Sequence, residues 1–161
     1  MTVDSYLTRT KPDIMAAASV QFFKENVRFR FSNREAIESW IRQSVKREGF
    51  GCGNINVVFC SDSFLRKMNK QYLQHDYNTD IITFDLTDDP SVINGELFIS
   101  IDRVRSNSET YKTGFTDELH RVIIHGILHL CGYSDKSPAK TKEMRKGEEH
   151  YLSKRKWIGH Q

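Results

Sequence analysis

Two histidines four residues apart, followed by an aspartate, are the residues best suited to bind a metal ion. His125 and His129 lie in the apolar stretch RVIIHGILHLCGYSD. On a helix, side chains at i and i+4 share one face about 5–6 Å apart. Gly132 can end the helix in a left-handed conformation, turning the chain so that Asp135 approaches both imidazoles. The spacing predicts one Zn²⁺ per chain on His125, His129 and Asp135, although Fe²⁺, Mn²⁺ or Ni²⁺ would suit the same ligands.

Each of these residues also has a plainer interpretation. Histidines on an apolar helix can be core residues whose ring nitrogens are satisfied by hydrogen bonds. An aspartate in a polar turn often serves only to cap that turn. The helix-ending glycine, with a third potential ligand three residues beyond it, favours the metal site over both alternatives.

The residue after the first histidine indicates which reaction such a site would catalyse. Three protein ligands leave a coordination position open, as is typical of catalytic zinc. Zinc peptidases place a glutamate directly after the first histidine, where it takes a proton from the metal-bound water. Gly126 stands there instead. Phosphodiester cleavage chiefly needs stabilisation of the charge that develops on the phosphate, so the pattern disfavours a peptidase and permits a nuclease.

Apolar periodicity predicts the elements that position these residues. Strands are predicted in SVQFFK, VRFRF, NINVVFC, DIITFDL and GELFISI, with a turn near Glu25 and Asn26 between the first two. The first predicted helix begins at a capping box formed by Ser32 and Glu35 and ends at Gly49, and the second covers SDSFLRKMNKQYL. A long helical segment is predicted from about Asp102 to Cys131, with an interruption near Gly114. The last helix begins at a Ser137 cap followed by Pro138. This order predicts an α+β or mixed α/β arrangement around one sheet.

Composition sets the broad class of protein. With 161 residues, 38% of them hydrophobic, the chain is long enough for one domain. We assign that domain to residues 19–161. Residues 1–18 are predicted to be a flexible arm, or else the true start codon lies at Met15. The net charge of +3 permits a polyanionic partner without requiring one. The absence of a long apolar run and of a signal peptide predicts a cytoplasmic protein, and the three cysteines form no CxxC pair.

Three segments together resemble one known family. HGILHLCGYSD resembles the pattern HGxLHLxGYDH of the YbeY family of metal-dependent endoribonucleases, with Asp135 at the position of the third histidine and Ser134 at that of the aspartate. NKQYLQHDYNTDIITF resembles a second family block and matches it at Asn69, Tyr72, Asp76, Thr79, Asp80 and Phe84. NGELFIS resembles a third, with Gly95 kept and Glu96 in place of aspartate. The resemblance extends from Ser19 to about Leu152.

The resemblance implies both a fold and further site residues. It implies an α+β, zincin-like single domain, in which a mixed sheet of about four strands packs against helices and the metal lies at the end of a cleft lined by residues 79–84. Asp80 is implied as a hydrogen-bond partner of a metal-bound histidine or as the catalytic base, and a simple turn cap is the alternative. Leu73 stands where the family has an arginine that is given a phosphate-binding or catalytic part. Lys70 and His75 are the nearest substitutes, although ordinary surface residues are the plainer interpretation of both.

The resemblance leads to two hypotheses about function. The first is a cytoplasmic endoribonuclease that is specific for single-stranded RNA and acts in ribosomal RNA processing and ribosome quality control. This hypothesis allows the small ribosomal subunit as a partner and expects neither DNA nor a membrane as one. The second, favoured by Leu73, is a ribosome-maturation factor whose metal is mainly structural. The basic stretches RKMNK and RQSVKR can line an RNA path, but such stretches are more often solvated helix faces.

Overall fold

Four strands form one mixed sheet in the computed structural model, which describes residues 18–158. The strands are β1 (Val20–Lys24), β2 (Gly51–Cys60), β3 (Ile81–Asp85) and β4 (Val92–Ser100). They are ordered β1-β2-β4-β3, with β1, β2 and β4 parallel and β3 antiparallel to β4. The predicted α+β class with about four strands is confirmed.

Five helices connect and cover these strands within the described residues. They are α1 (Arg34–Arg47), α2 (Asp62–Leu73), α3 (Ile101–Thr110), α4 (Phe115–Leu130) and α5 (Pro138–Leu152). Gly114 separates α3 from α4, as the sequence predicted. Ser137 caps α5 by accepting a hydrogen bond from the Lys140 N–H at 3.2 Å, and Pro138 occupies the first turn. None of these helices is long and apolar enough to cross a membrane.

Two predictions near the beginning of the described chain are wrong. Residues 27–31 form no strand and lie instead in the segment that connects β1 to α1. Their alternation reflects aromatic packing instead: the Phe31 ring lies 4.8 Å from Phe59 and 4.9 Å from Phe22. The capping box at Ser32 is also absent, since α1 begins at Arg34 and Asn33 occupies the cap position in a left-handed conformation.

The two faces of the sheet carry different helices. One face packs against α1, α4 and α5 through a large cluster that includes Val57, Leu97 and Ile124. The other packs against α2, where Leu65 and Met68 contact a smaller cluster. The candidate metal-binding segment on α4 therefore lies on one side of the sheet and α2, where the second family block begins, on the other.

Gly126 allows α4 to approach the sheet closely. A Cβ atom at this position would lie 2.6 Å from Ile81 Cδ1 and 2.6 Å from Leu97 Cδ2. Any side chain here would therefore collide with the sheet. The arm predicted for residues 1–18, with the alternative start at Met15, lies outside the described residues except for Ala18 and stays a prediction.

Candidate metal centre

The last two turns of α4 bring two imidazoles together. His125 Nε2 and His129 Nε2 are 3.0 Å apart, and both side chains are about three-quarters buried. This is the placement that the four-residue spacing predicts.

The remaining nitrogen of each ring is held by a fixed partner. The Nδ1 atom of His129 lies 3.0 Å from the Tyr133 carbonyl oxygen, which can only accept a hydrogen bond. The Nδ1 atom of His125 lies 2.7 Å from Glu148 Oε1. Both rings therefore donate from Nδ1, and the Nε2 atom of each neutral ring is left with a lone pair. The two lone pairs face the same small space.

The turn after α4 adds a carboxylate to this space. Gly132 has a φ of 100°, and the Tyr133 N–H donates back to the Leu128 carbonyl at 3.0 Å, which reverses the chain. Asp135 Oδ2 then lies 3.6 Å from His125 Nε2 and 3.4 Å from His129 Nε2. The left-handed glycine that the sequence predicted is confirmed.

These three ligand atoms fit one small divalent cation. A tetrahedral ion with ligand distances of about 2.1 Å separates its ligand atoms by about 3.4 Å, close to the observed 3.0, 3.4 and 3.6 Å. Two lone pairs and a carboxylate at such distances repel one another unless a cation or a proton lies between them. Within the described residues, His125, His129 and Asp135 are the group of side chains suited to hold a metal.

Glu148 is a site residue that the sequence did not single out. It is buried on α5, accepts from His125 and also pairs with Arg121 Nη1 at 3.1 Å. Burial alone would lower the pKa of His125, but the hydrogen bond and charge of Glu148, with Asp80 and Asp135 nearby, raise it overall. No spacing rule links a residue on α5 to His125, so only the packing of α4 on α5 reveals this contact.

Asp80 lies near the candidate metal centre without holding a histidine. The His125 Nδ1 contact that the resemblance allowed for Asp80 is made by Glu148 instead. Burial raises the pKa of Asp80, while the charge of His125 and the backbone N–H groups of Asp80 and Ile81 lower it in part. Asp80 therefore makes the local hydrogen bonds of a turn cap and is also near enough to His125 for the two charges to interact.

The matching residues of the second block fix the loop that carries Asp80. The buried Asn69 side chain donates to the Tyr77 carbonyl at 3.0 Å, and Asp76 pairs with Arg66 at 2.9 Å. The Tyr72 ring contacts the Phe84 ring edge-on at 5.9 Å. Leu73, in contrast, is 44% exposed at the end of α2. It leaves that surface without the charge or hydrogen-bond donor that an arginine would supply.

Known proteins with similar sequences identify the family of this chain. The family model described as Endoribonuclease YbeY matches residues 20–156. A relative named Endoribonuclease YbeY from Amoebophilus asiaticus is 44% identical over 138 residues, covering 86% of this chain and 94% of the relative. One of the same name from Cytophaga hutchinsonii is 43% identical over 143 residues, covering 89% and 100%.

The fold agrees as well. The solution structure of TM1509 from Thermotoga maritima aligns with a TM-score of 0.61 and 27% identity, covering 86% of this chain and 89% of that one. Sequence and structure thus support the same assignment over nearly the same residues, and the expected zincin-like fold is confirmed. The chain belongs to the Endoribonuclease YbeY family.

Proposed function

We propose that this chain is a metal-dependent endoribonuclease that cleaves single-stranded segments of ribosomal RNA in the cytoplasm. Family membership supports the endoribonuclease activity. The observation that carries the metal dependence is the convergence of two imidazole lone pairs and one carboxylate within 3.6 Å of one another. We take His125, His129 and Asp135 as the ligands and Zn²⁺ as the ion, with the other divalent cations as outcomes of the metal analysis.

The side chains around the ligands prepare them for this role. Glu148 and the Tyr133 carbonyl orient the two rings, so that both Nε2 lone pairs point inward before any ion arrives. A bound ion would supply Lewis-acid stabilisation of charge on the scissile phosphate. Asp80, whose raised pKa suits proton transfer, is the candidate to take a proton from the attacking oxygen.

Gly126 argues against a peptidase for a structural reason. A Cβ atom at this position would lie 2.6 Å from both Ile81 Cδ1 and Leu97 Cδ2, so the helix has no room here for the glutamate on which a zinc peptidase relies. The absence of that glutamate, and of space for it, fits the preference for phosphodiester chemistry.

One observation favours a second function. Leu73 leaves the α2 surface without the arginine of the family pattern, so the chain could be a ribosome-maturation factor whose metal is mainly structural and whose cleavage is vestigial. Leu73→Arg distinguishes the two proposals. A large rise in cleavage at unchanged RNA affinity would support the maturation factor, whereas little change would show that the arginine is dispensable here.

The test is cleavage of an end-labelled RNA that contains a single-stranded and a duplex segment. The zinc-loaded parent is compared with His129→Ala, which controls for contaminating nucleases. Cleavage confined to the single-stranded segment and lost in His129→Ala supports the proposal. Equal cleavage by both proteins assigns the activity to a contaminant, and no cleavage by either favours the maturation factor.

A further inference from the structure

Two surface depressions meet at Asp135, and their linings carry opposite charges. One, of about 590 Å³, is lined by Asp135, Thr141 and three cationic residues: Lys136, Lys142 and Arg145. The other, of about 500 Å³, shares Asp135, Thr141 and Arg145 with the first. It also contains Arg121, His125 and three glutamates: Glu118, Glu148 and Glu149. A chain that passes the ligands therefore meets cations on one side and mostly carboxylates on the other.

The cations of the first depression have no ion-pair partner among the described residues. Lys136, Lys142 and Arg145 are exposed, and across residues 18–158 none of them takes part in an ion pair. Lys136 precedes α5, whose first turn contains no acidic residue, and Lys142 and Arg145 follow in its second and third turns. The helix dipole disfavours a cation at that end, so helix stability does not explain Lys136.

The backbone of this depression is fixed to the metal centre. The Thr141 hydroxyl donates to the Asp135 carbonyl at 3.1 Å, and the Lys136 N–H donates to the Ser134 hydroxyl at 3.2 Å. The loop with the third ligand and the first turns of α5 thus form one connected unit. A phosphate bound by the cations would have a defined position relative to the ligands.

We propose that this depression, formed by Lys136, Lys142 and Arg145 beside Asp135, binds the phosphates of single-stranded RNA on one side of the scissile bond. The proposal rests on the proposed nuclease function and adds the path of the substrate. Phosphates are attracted to the three unpaired cations. The second depression is less favourable to them, because its carboxylates outnumber its cations even though Arg121 pairs with Glu118 and Glu148. The stretches RKMNK and RQSVKR, which the sequence offered as an RNA path, line neither depression.

The experiment measures equilibrium binding of a fluorescently labelled single-stranded RNA over a range of salt concentrations. Every protein carries His129→Ala, so that binding is measured without cleavage. The test variant is Lys136→Ala/Lys142→Ala/Arg145→Ala. The matched control is Lys46→Ala/Arg47→Ala/Lys67→Ala, which removes the same charge from exposed residues of the other two basic stretches.

Loss of three phosphate contacts should reduce the slope of log affinity against log salt by about 2. Between 50 and 200 mM salt the parent should therefore lose about 20-fold more affinity than the test variant. The control should keep the slope of the parent.

Two results would overturn the proposal. An unchanged slope in the test variant means that these cations do not contact phosphates, and an equal loss in the control means that the effect comes from net charge. Both can occur while the parent chain, with His129 restored, still cleaves RNA, so failure of this inference is distinguishable from failure of the nuclease function. If the parent neither binds nor cleaves RNA, both proposals fail.

Discussion

Removing the charge of Glu148 should weaken metal binding without disturbing the three ligands. Glu148 Oε1 lies 2.7 Å from His125 Nδ1, within the range of about 2.7–2.9 Å that is typical of charge-assisted hydrogen bonds. Glu148→Gln keeps an oxygen that can accept from the ring but removes the negative charge that makes the imidazole a stronger ligand. Glu148→Ala also frees the ring to rotate.

The expected losses follow from this difference. Changes to hydrogen-bond partners of metal-binding histidines typically reduce metal affinity by about 10- to 100-fold, which is about 1.4–2.8 kcal/mol. Glu148→Gln should lie near the lower value and Glu148→Ala near the upper one. The ion pair between Glu148 and Arg121 contributes little to the change in metal affinity. Arg121 is partly exposed and is present in both the metal-free and the metal-bound protein.

The assay is competition for Zn²⁺ with a chromophoric chelator at neutral pH. Glu149→Gln is the matched control, since it removes the same charge from the adjacent, exposed residue of α5. Parent-like affinity in Glu148→Gln, or an equal loss in Glu149→Gln, would refute the argument that Glu148 acts through His125.

Three further predictions concern Asp80, Gly126 and His120. Asp80→Asn should reduce RNA cleavage by about 10²- to 10⁴-fold. It should change zinc affinity far less than Glu148→Gln does. Full cleavage activity in Asp80→Asn would show that Asp80 is only a turn cap. Gly126→Glu should lower the free energy of unfolding, measured in urea, by about 3 kcal/mol or more, because the glutamate charge would be forced against Leu97. The variant should not hydrolyse casein. Any casein hydrolysis would contradict the explanation given for Gly126. Burial and the nearby Arg155 lower the pKa of His120 to about 4, whereas a histidine in the unfolded chain titrates near about 6.5. Between these values the unfolded state binds a proton that the native state does not, so the free energy of unfolding should fall by up to about 3 kcal/mol as the pH drops. His120→Gln should lack this slope, and parallel slopes would reject the assignment to His120.

The local chemistry of the candidate site could be predicted because it is encoded within a short segment. The i, i+4 spacing of His125 and His129 and the helix-ending Gly132 specify a ligand arrangement without reference to the rest of the chain. Glu148 could not be predicted in this way, because its contact with His125 depends on how α5 packs against α4. The basic depression is a similar case: Lys136, Lys142 and Arg145 are ordinary surface residues in the sequence, and only the fold places them beside Asp135.

The fold was predictable to the same extent and for the same reason. Strands and helices with strong apolar periodicity occur where the sequence placed them. The alternation of Val27, Phe29 and Phe31 was misleading, because aromatic side chains that cover a core can alternate without belonging to a strand. Ser32 failed as a cap since Asn33, one residue later, adopts the left-handed conformation that begins α1.

The most direct test of the central claim is a zinc titration of metal-free protein that follows ion binding and RNA cleavage in the same samples. Cleavage should be absent without metal and rise to a plateau at one equivalent of zinc per chain. In His125→Ala, His129→Ala and Asp135→Ala, tight binding and cleavage should be lost together. Cleavage that persists in the rigorously metal-free protein, or that survives in a variant that no longer binds zinc, would contradict the assignment of the activity to this centre.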